Sequence, residues 1–168
     1  MTSARRGFTF INLMVSVGVM AVIAGVTLVT LEPDDRARAV GAAQLLAADL
    51  EYAQALSLAS PGDPAMLNID TANDGYWIAM SSDPDTAILR PNGEPYIVIL
   101  GEGGAASFAG IDLAIVSGAT GDSVSYDALG RLSELTDAVL SMTLEDQRAD
   151  VSVSASTGFV TIATVDVP

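Results

Sequence analysis

Residues 8–31 read FTFINLMVSVGVMAVIAGVTLVTL, a run of 24 residues with no charged residue and no proline. A helix of this length measures about 36 Å at 1.5 Å per residue, which exceeds the roughly 30 Å hydrocarbon core of a membrane. The run therefore predicts a membrane-spanning helix from Phe8 to Leu31. The seven residues before it form a polar leader that contains Arg5 and Arg6 and ends in Gly7.

The junction between leader and apolar run has a specific pattern, RRGFTFINLMV at residues 5–15. It resembles the signal of type IV pilins and type II secretion pseudopilins, in which a short basic leader and a glycine precede a phenylalanine that opens a long apolar helix. The resemblance implies that a prepilin peptidase cuts between Gly7 and Phe8 on the cytoplasmic face and methylates the new amino group of Phe8. It also implies that the apolar helix remains on the mature chain.

One position departs from the family pattern. The fifth residue after the implied cut is Asn12, where the family usually has a glutamate. The resemblance implies that this glutamate meets the free amino terminus of a neighbouring subunit during assembly. Asn12 can accept a hydrogen bond but carries no full charge. The departure favours a minor component over the major, self-polymerising subunit.

Three other interpretations of the amino-terminal run remain open. An ordinary secretory signal has an apolar region of about 7–15 residues and an Ala-x-Ala cleavage site, whereas this run is longer and no such site closes it before Glu32. The pattern Arg5-Arg6-x-Phe8 overlaps a twin-arginine export signal. The third interpretation is a plain membrane anchor that has no role in assembly.

The composition is acidic and excludes several classes of function. The chain contains seven arginines, no lysine and no histidine, but 21 aspartates and glutamates, so its net charge is −14. Nucleic-acid binding needs a basic surface, so no nucleic-acid partner is expected. The absence of histidine and lysine removes the usual activators of a nucleophile, and no enzyme is predicted. The chain has no cysteine, so no disulfide stabilises it.

Arg5 and Arg6 precede the apolar run, while Glu32, Asp34 and Asp35 follow it. This asymmetry predicts that the amino end lies in the cytoplasm. The chain is accordingly divided into a leader at 1–7, a transmembrane half-helix at 8–31, a periplasmic amphipathic half-helix at 32–60 and a β-rich domain at 61–168. The predicted location is the bacterial inner membrane, with a single pass and a periplasmic domain, and a pseudopilus after assembly.

Apolar residues recur at steps of three and four from residue 36 to residue 58, which predicts an amphipathic helix that is bent or interrupted at Pro33. Asp49 is assigned to its polar side, and Ser60-Pro61-Gly62 ends it. The predicted apolar face comprises Ala39, Ala42, Leu45 or Leu46, Leu50, Ala53 and Leu56.

The sequence pattern after the helix alternates between apolar and polar residues, which predicts β-strands. The predicted strands are at 65–69, 76–81, 88–90, 96–100, 111–116, 123–126, 139–144, 151–154 and 159–165, with a hairpin turn at 73–75 and a turn at 82–85. The predicted fold class is α+β, a long amino-terminal helix packed on an antiparallel β-sheet domain.

Residues 123–131 read SVSYDALGR, an aromatic strand followed by a small turn that ends in Gly130 and Arg131. This segment and the closing hairpin at 151–160 resemble the H-type minor pseudopilins. The resemblance implies a structural subunit of the type II secretion pseudopilus, which helps to move folded proteins across the outer membrane. Its partners would be the prepilin peptidase, other pseudopilins and the inner-membrane assembly platform. Two alternatives stay open: a minor pilin of a type IV pilus, used in adhesion, motility or uptake, and a membrane-anchored periplasmic binding module that does not polymerise.

Two further groups of residues are candidate sites. Gly18 and Gly25 are seven residues apart and therefore near one face of the apolar helix, where small residues allow neighbouring anchors to pack closely. The general frequency of glycine in membrane helices explains them equally well. Calcium prefers several oxygens from flexible loops, and the weak candidates for such a site are Asp70, Asp74, Asp83 and Asp85. They match no calcium-loop pattern, turn-forming aspartates on an acidic chain explain them better, and no other cofactor is expected.

Overall fold

A computed structural model describes residues 10–29, 34–119 and 121–166 of the chain. These residues fall into two units, one that ends at Asp34 and one that begins at Asp35. The first unit contains one helix, α1 (Phe10–Val29). Within the described residues, no helix meets the length and hydropathy required to cross a membrane. The ends of the predicted span, at 8–9 and 30–31, and the predicted bend at Pro33 lie outside the described residues.

The second unit combines one long helix with two antiparallel sheets, which confirms the predicted α+β class. The helix is α2 (Asp35–Ala59). The strands are β1 (Ala65–Asp70), β2 (Gly75–Met80), β3 (Asp83–Ala87), β4 (Ile97–Ile99), β5 (Asp112–Ser117), β6 (Ser123–Ser125), β7 (Ala138–Leu144), β8 (Gln147–Val153) and β9 (Val160–Asp166). The first sheet has the order β3-β2-β1-β6, and β4 also pairs with β2. The second sheet has the order β5-β7-β8-β9.

Both sheets pack on α2, which contacts β1 from the first sheet and β7, β8 and β9 from the second. The predicted apolar face is confirmed: its buried members are Ala39, Ala42, Leu46, Leu50 and Ala53, and Leu45 and Leu56 are partly buried. Three of the five buried members are alanines, so the strands approach the helix closely. The end of α2 at Ala59 agrees with the predicted stop at Ser60-Pro61-Gly62.

A short 3-10 helix (Gly103–Phe108), which the sequence pattern did not predict, also packs on α2. A side chain at Gly41 would come within 3.0 Å of the Phe108 ring, so the glycine provides the space for that ring. The Arg38 guanidinium donates to the carbonyl oxygens of Ser107 (3.1 Å) and Ala109 (2.5 Å). The first half of α2 therefore holds the end of this segment in place.

The predicted turn at 82–85 is wrong, because β3 occupies Asp83–Ala87 instead. The predicted short strand at 88–90 is reduced to an isolated antiparallel bridge between Leu89 and Pro95. Pro84 suggested a turn, since proline cannot donate a hydrogen bond in a sheet. β3 lies at a sheet edge, however, where one outward N–H is not needed. The Pro84 carbonyl accepts hydrogen bonds from Asn68 Nδ2 (2.8 Å) and Trp77 Nε1 (3.1 Å). These two bonds fix the edge strand against the sheet.

The other predicted strands are confirmed to within a few residues, and both predicted hairpins form, β1 with β2 and β8 with β9. β8 begins at Gln147, four residues before its predicted start. The sequence pattern did not predict this extension, because Arg148 and Asp150 are charged. In the structure Arg148 Nε lies 2.6 Å from Asp150 Oδ1, so the two charges neutralise each other on the strand.

Two turns close over the last turns of α2, and glycine is required where they meet. Gln54 Nε2 donates to the carbonyl oxygens of Gly130 (2.7 Å) and Thr157 (2.9 Å). A side chain at Gly158 would overlap both the Gly130 carbonyl oxygen and Gln54 Nε2, and the φ of Gly158 is +69°. Gly158 therefore has both a steric and a conformational reason to lack a side chain.

We expect Gly158→Ala to lower the free energy of unfolding by about 3 kcal/mol, because the added methyl group displaces Gln54 and the Gly130 turn. Gly121→Ala is the matched control, since Gly121 has nearly the same φ (+66°) and no described residue lies within 4 Å of the added carbon. It should cost only about 1 kcal/mol, the price of the backbone conformation. Urea unfolding of the detergent-solubilised chain, followed by the fluorescence of its single tryptophan, measures both. Equal losses in the two variants would contradict the steric argument.

Candidate functional site

A buried carboxylate connects α2 to the first sheet. Asp49 lies on α2 with 5% of its surface exposed. Tyr76 Oη donates to Asp49 Oδ2 at 2.7 Å, and Tyr96 Oη donates to Asp49 Oδ1 at 2.6 Å. A buried charge is costly unless hydrogen bonds compensate for its lost water. Both carboxylate oxygens have such a bond here. The assignment of Asp49 to the polar side of the helix is therefore wrong.

The first sheet determines where the two tyrosines lie. Tyr76 is on β2, opposite Val98 of β4. Tyr96 immediately precedes β4, and its backbone N–H donates to the Ile88 carbonyl oxygen at 2.7 Å. The segment that leads into β4 thus brings the second hydroxyl to the carboxylate.

An aromatic and cationic layer covers this cluster. Tyr52, one helical turn after Asp49, stacks on Tyr96 with the ring centroids 5.6 Å apart and the planes at 27°. The Arg90 guanidinium carbon lies 4.6 Å from the centroid of the Tyr96 ring, a cation–π distance. Arg90 Nη2 donates to the Ile97 carbonyl oxygen at 2.9 Å. Arg90 Nε is buried and has no hydrogen-bond partner in the described part of the chain.

The environment keeps both tyrosines neutral. Burial raises the pKa of Tyr76 and of Tyr96 above the ordinary value of 10.0, and Asp49 raises both further. Since the folded-state pKa is raised, the stability that these hydroxyls contribute is present below about pH 10 and is lost as the pH rises above it. The tyrosines are therefore donors to a carboxylate at neutral pH, an arrangement that holds a helix and a sheet together.

A groove of about 790 Å³ runs beside the cluster, between α2 and the segment that contains β4 and the 3-10 helix. Such a volume is in the range of ligand sites. Arg90 and Tyr96 lie in its wall together with Glu94, Glu102 and the half-exposed Ile97. The groove combines one guanidinium, two exposed carboxylates and an apolar floor.

The other end of the unit exposes apolar side chains. Leu58 lies in the last turn of α2, Leu129 and Leu135 in the loop between β6 and β7, and Phe159 immediately before β9. All four are more than half exposed. A second cavity, of about 520 Å³, lies between residues 131–135 and residues 155–156.

The structure places the four calcium candidates in two separate groups. Asp70 accepts three bonds from its own turn, from Ala72 N, Asn73 N and Asn73 Nδ2, and the Asn73 side-chain bond lowers the pKa of Asp70. Asp74 Oδ1 accepts from Leu113 N of β5 at 3.1 Å, which connects the two sheets.

The other two candidates, Asp83 and Asp85, are exposed on β3. β3 pairs with the far end of β2, so the two groups are not brought together. The described residues contain no group of three or more acidic side chains that is arranged to hold a metal. The calcium site stays a prediction.

The predicted assembly residues belong to the first unit. Asn12, Gly18 and Gly25 lie on α1, and a side chain added at Gly18 would meet no described residue within 4 Å. Gly7 and Phe8, the predicted cleavage and methylation residues, lie outside the described residues. Their roles stay predictions.

The pattern of α2 contained a signal for the cluster that the sequence reading missed. Asp49 follows Leu46 by three residues and precedes Ala53 by four, which puts it on the buried stripe. A carboxylate in an apolar stripe needs donors, and the two tyrosines are donors located on predicted strands. Which tyrosines would reach it depended on the sheet pairing.

Comparisons with known proteins bear on the fold. No protein-family model matches the chain, and no curated protein matches its sequence. Among solved structures, the minor pseudopilin EpsH from the type 2 secretion system of Vibrio cholerae is similar, with a TM-score of 0.54 at 16% identity. The match covers 77% of this chain and 97% of that chain. The chain thus has a pseudopilin-like fold.

We expect Tyr76→Phe to lower the free energy of unfolding by about 2 kcal/mol, since it removes a donor to a buried carboxylate. Tyr126→Phe is the matched control. Tyr126 is also buried, but its hydroxyl has no hydrogen-bond partner within the described ranges, so its loss should change the free energy by less than about 0.5 kcal/mol or should stabilise the chain. Urea unfolding at pH 7 measures both. The proposed role of the cluster would be wrong if the two variants lost equal stability.

Proposed function

We propose that the protein is a minor pseudopilin, a structural subunit of the pseudopilus of a type II secretion system, most like the H type. The observation that carries the proposal is the similarity of fold to the minor pseudopilin EpsH over 97% of that chain. The RRGF junction at residues 5–8 supports it independently, because the resemblance there does not depend on the folded domain.

The proposal includes a location. The uncharged run from Phe8 to Leu31 supports retention in the bacterial inner membrane, and the arginines before it support a cytoplasmic amino end. A prepilin peptidase would remove residues 1–7 and methylate Phe8. The periplasmic domain would then enter the pseudopilus through contacts with other pseudopilins and the assembly platform.

The role is proposed to be structural and not catalytic. Asp49 has both oxygens bonded to tyrosine hydroxyls, so it is not placed to accept a proton from a substrate. The chain contains no histidine or lysine to activate a nucleophile. α2 packs against both sheets and joins them into one unit. Such a unit suits a subunit that transmits mechanical load.

A membrane-anchored module that does not polymerise is the second candidate, and Asn12 favours it. An amide at this position cannot form an ion pair with the amino terminus of a neighbouring subunit. A minor pilin of a type IV pilus would share the architecture and the processing of the first candidate. A measurement of incorporation into a filament distinguishes the non-polymerising module from the pseudopilin and from the type IV pilin.

We expect peptidase-dependent processing when the full chain is expressed with and without a prepilin peptidase. Intact mass and amino-terminal sequencing of the membrane-extracted protein should show a start at N-methylated Phe8 only when the peptidase is present. Gly7→Val should remain uncut, because the residue before the implied cut is glycine in the pattern that this junction resembles. A start at Met1 in both strains, or a start beyond Leu31, would exclude the pilin class.

We expect Gly18→Leu together with Gly25→Leu to reduce incorporation into the pseudopilus by about fivefold, because leucine side chains separate anchors that pack closely. Val19→Leu is the control, since it changes a neighbouring face of the same helix. The chain has no cysteine, so a single cysteine introduced on the exposed face of the domain reports subunit contacts by crosslinking without background. Unchanged crosslinking in the double variant would remove the proposed role of these glycines, and absence of crosslinks in the parent would favour the non-polymerising module.

A further inference from the structure

Four large apolar side chains cluster at the end of α2 that lies away from Asp35. The exposed fractions are 53% for Leu58, 68% for Leu129, 98% for Leu135 and 65% for Phe159. Soluble proteins rarely leave adjacent large apolar groups exposed unless the patch binds something. We call these four residues the α2-end surface.

Contacts beneath the surface bring together the chain segments that carry its members. Leu58 Cγ lies 3.1 Å from the position that a side-chain carbon on Gly130 would occupy, and Leu129 is the residue before Gly130. Gly158 packs against the Gly130 carbonyl, and Phe159 is the residue after Gly158. Leu58 and the chain neighbours of Leu129 and Phe159 therefore meet at one glycine–glycine contact.

Leu135 extends the surface to one side. It lines the 520 Å³ cavity together with Leu132 and Ala155. The Leu132 N–H donates to the Ala155 carbonyl oxygen at 3.2 Å, which joins the loop of Leu135 to the loop that leads to Phe159. The cavity gives the surface a recess that an apolar side chain of another molecule can enter.

The loops that carry these side chains are held in one conformation. Gln54 donates to both loops, at Gly130 and Thr157. Asp127 Oδ1 accepts from the backbone N–H of Leu129 (2.8 Å) and Arg131 (3.0 Å), and Asp127 Oδ2 pairs with the Arg131 guanidinium at 2.7 Å. A preordered surface loses less conformational freedom on binding. This order is expected of a docking surface.

The charge around the surface indicates which partner fits. Glu51 shares the helix face of Gln54 and Leu58, and Glu134 adjoins Leu135. Neither carboxylate, nor Asp137, forms an ion pair with any described residue, whereas the charge of Arg131 is neutralised by Asp127. A second copy of this chain, with a net charge of −14, would bring like charges together. A partner with lysine or arginine around an apolar contact is complementary.

We propose that the α2-end surface docks a different protein, through an apolar side chain that enters between Leu129, Leu135 and Phe159 and through basic residues that face Glu51 and Glu134. The choice of host cell rests on the proposed function, since the partner is sought among the proteins of a cell that assembles a type II secretion system. The exposure of the surface and the contacts beneath it do not depend on that function.

The test is site-specific photocrosslinking in such cells, with the full-length chain carrying p-benzoylphenylalanine at position 129 or position 135. The control position is Val116 on β5, which is also half exposed. We expect a covalent adduct with one other protein, about tenfold stronger at 129 and 135 than at 116, in which the crosslinked partner peptide contains lysine or arginine. Glu51→Arg with Glu134→Arg should reduce the adduct at least about fivefold, and Glu102→Arg, on the groove, should not.

An adduct only with a second copy of this chain, an adduct only with lipid, equal yields at all three positions, or insensitivity to the charge reversal would each overturn the inference. Amino-terminal processing at Phe8 is measured in the same cells. Normal processing without a partner adduct refutes the docking surface and leaves the proposed function standing. An unprocessed chain refutes the proposed function, and the crosslinks still report on the surface.

Discussion

Both sheets pack against one face of α2, and this shared helix is the constraint on which the rest of the second unit depends. Ala39, Ala42 and Ala53 keep the strands close to the helix axis, so the space between them holds little besides Leu46, Leu50 and the side chains of the strands. Any polar group on this face must find its hydrogen-bond partners inside the protein, because water is excluded from the contact.

Two polar side chains of α2 meet this requirement in different ways, and each organises one end of the unit. Asp49 accepts from Tyr76 and Tyr96, which draws the segment before β4 onto the helix and forms the wall of the groove. Gln54 donates to two turns and brings Gly130 and Gly158 into contact, which presents the apolar residues of the α2-end surface. One connection is buried and charged, and the other lies at the rim and is neutral.

The elements that were predicted correctly depend on local patterns. The helix period and the Pro61-Gly62 stop defined α2, and alternation with turn residues defined most of the strands. The errors have physical causes. Pro84 is unusual in a strand, so the edge strand β3 was not predicted. Arg148 and Asp150 are charged, so the start of β8 was placed too late. The 3-10 helix was not predicted because its residues have no apolar period. Tyr126 and Gly130 were recognised as a strand aromatic and a turn glycine, but the position of Gly130 over Gln54 was not.

By itself, the sequence determined the α+β class, the apolar run from Phe8 to Leu31 and the acidic character from which no nucleic-acid partner is expected, because each follows from neighbouring residues or from composition. The tertiary structure alone decided which side chains meet. Asp49 bonds to hydroxyls 27 and 47 residues away, and Gln54 bonds to carbonyls 76 and 103 residues away. Such partners are chosen by the register and the order of strands around a common helix, and a property of that kind exists only when distant parts of the chain are packed together.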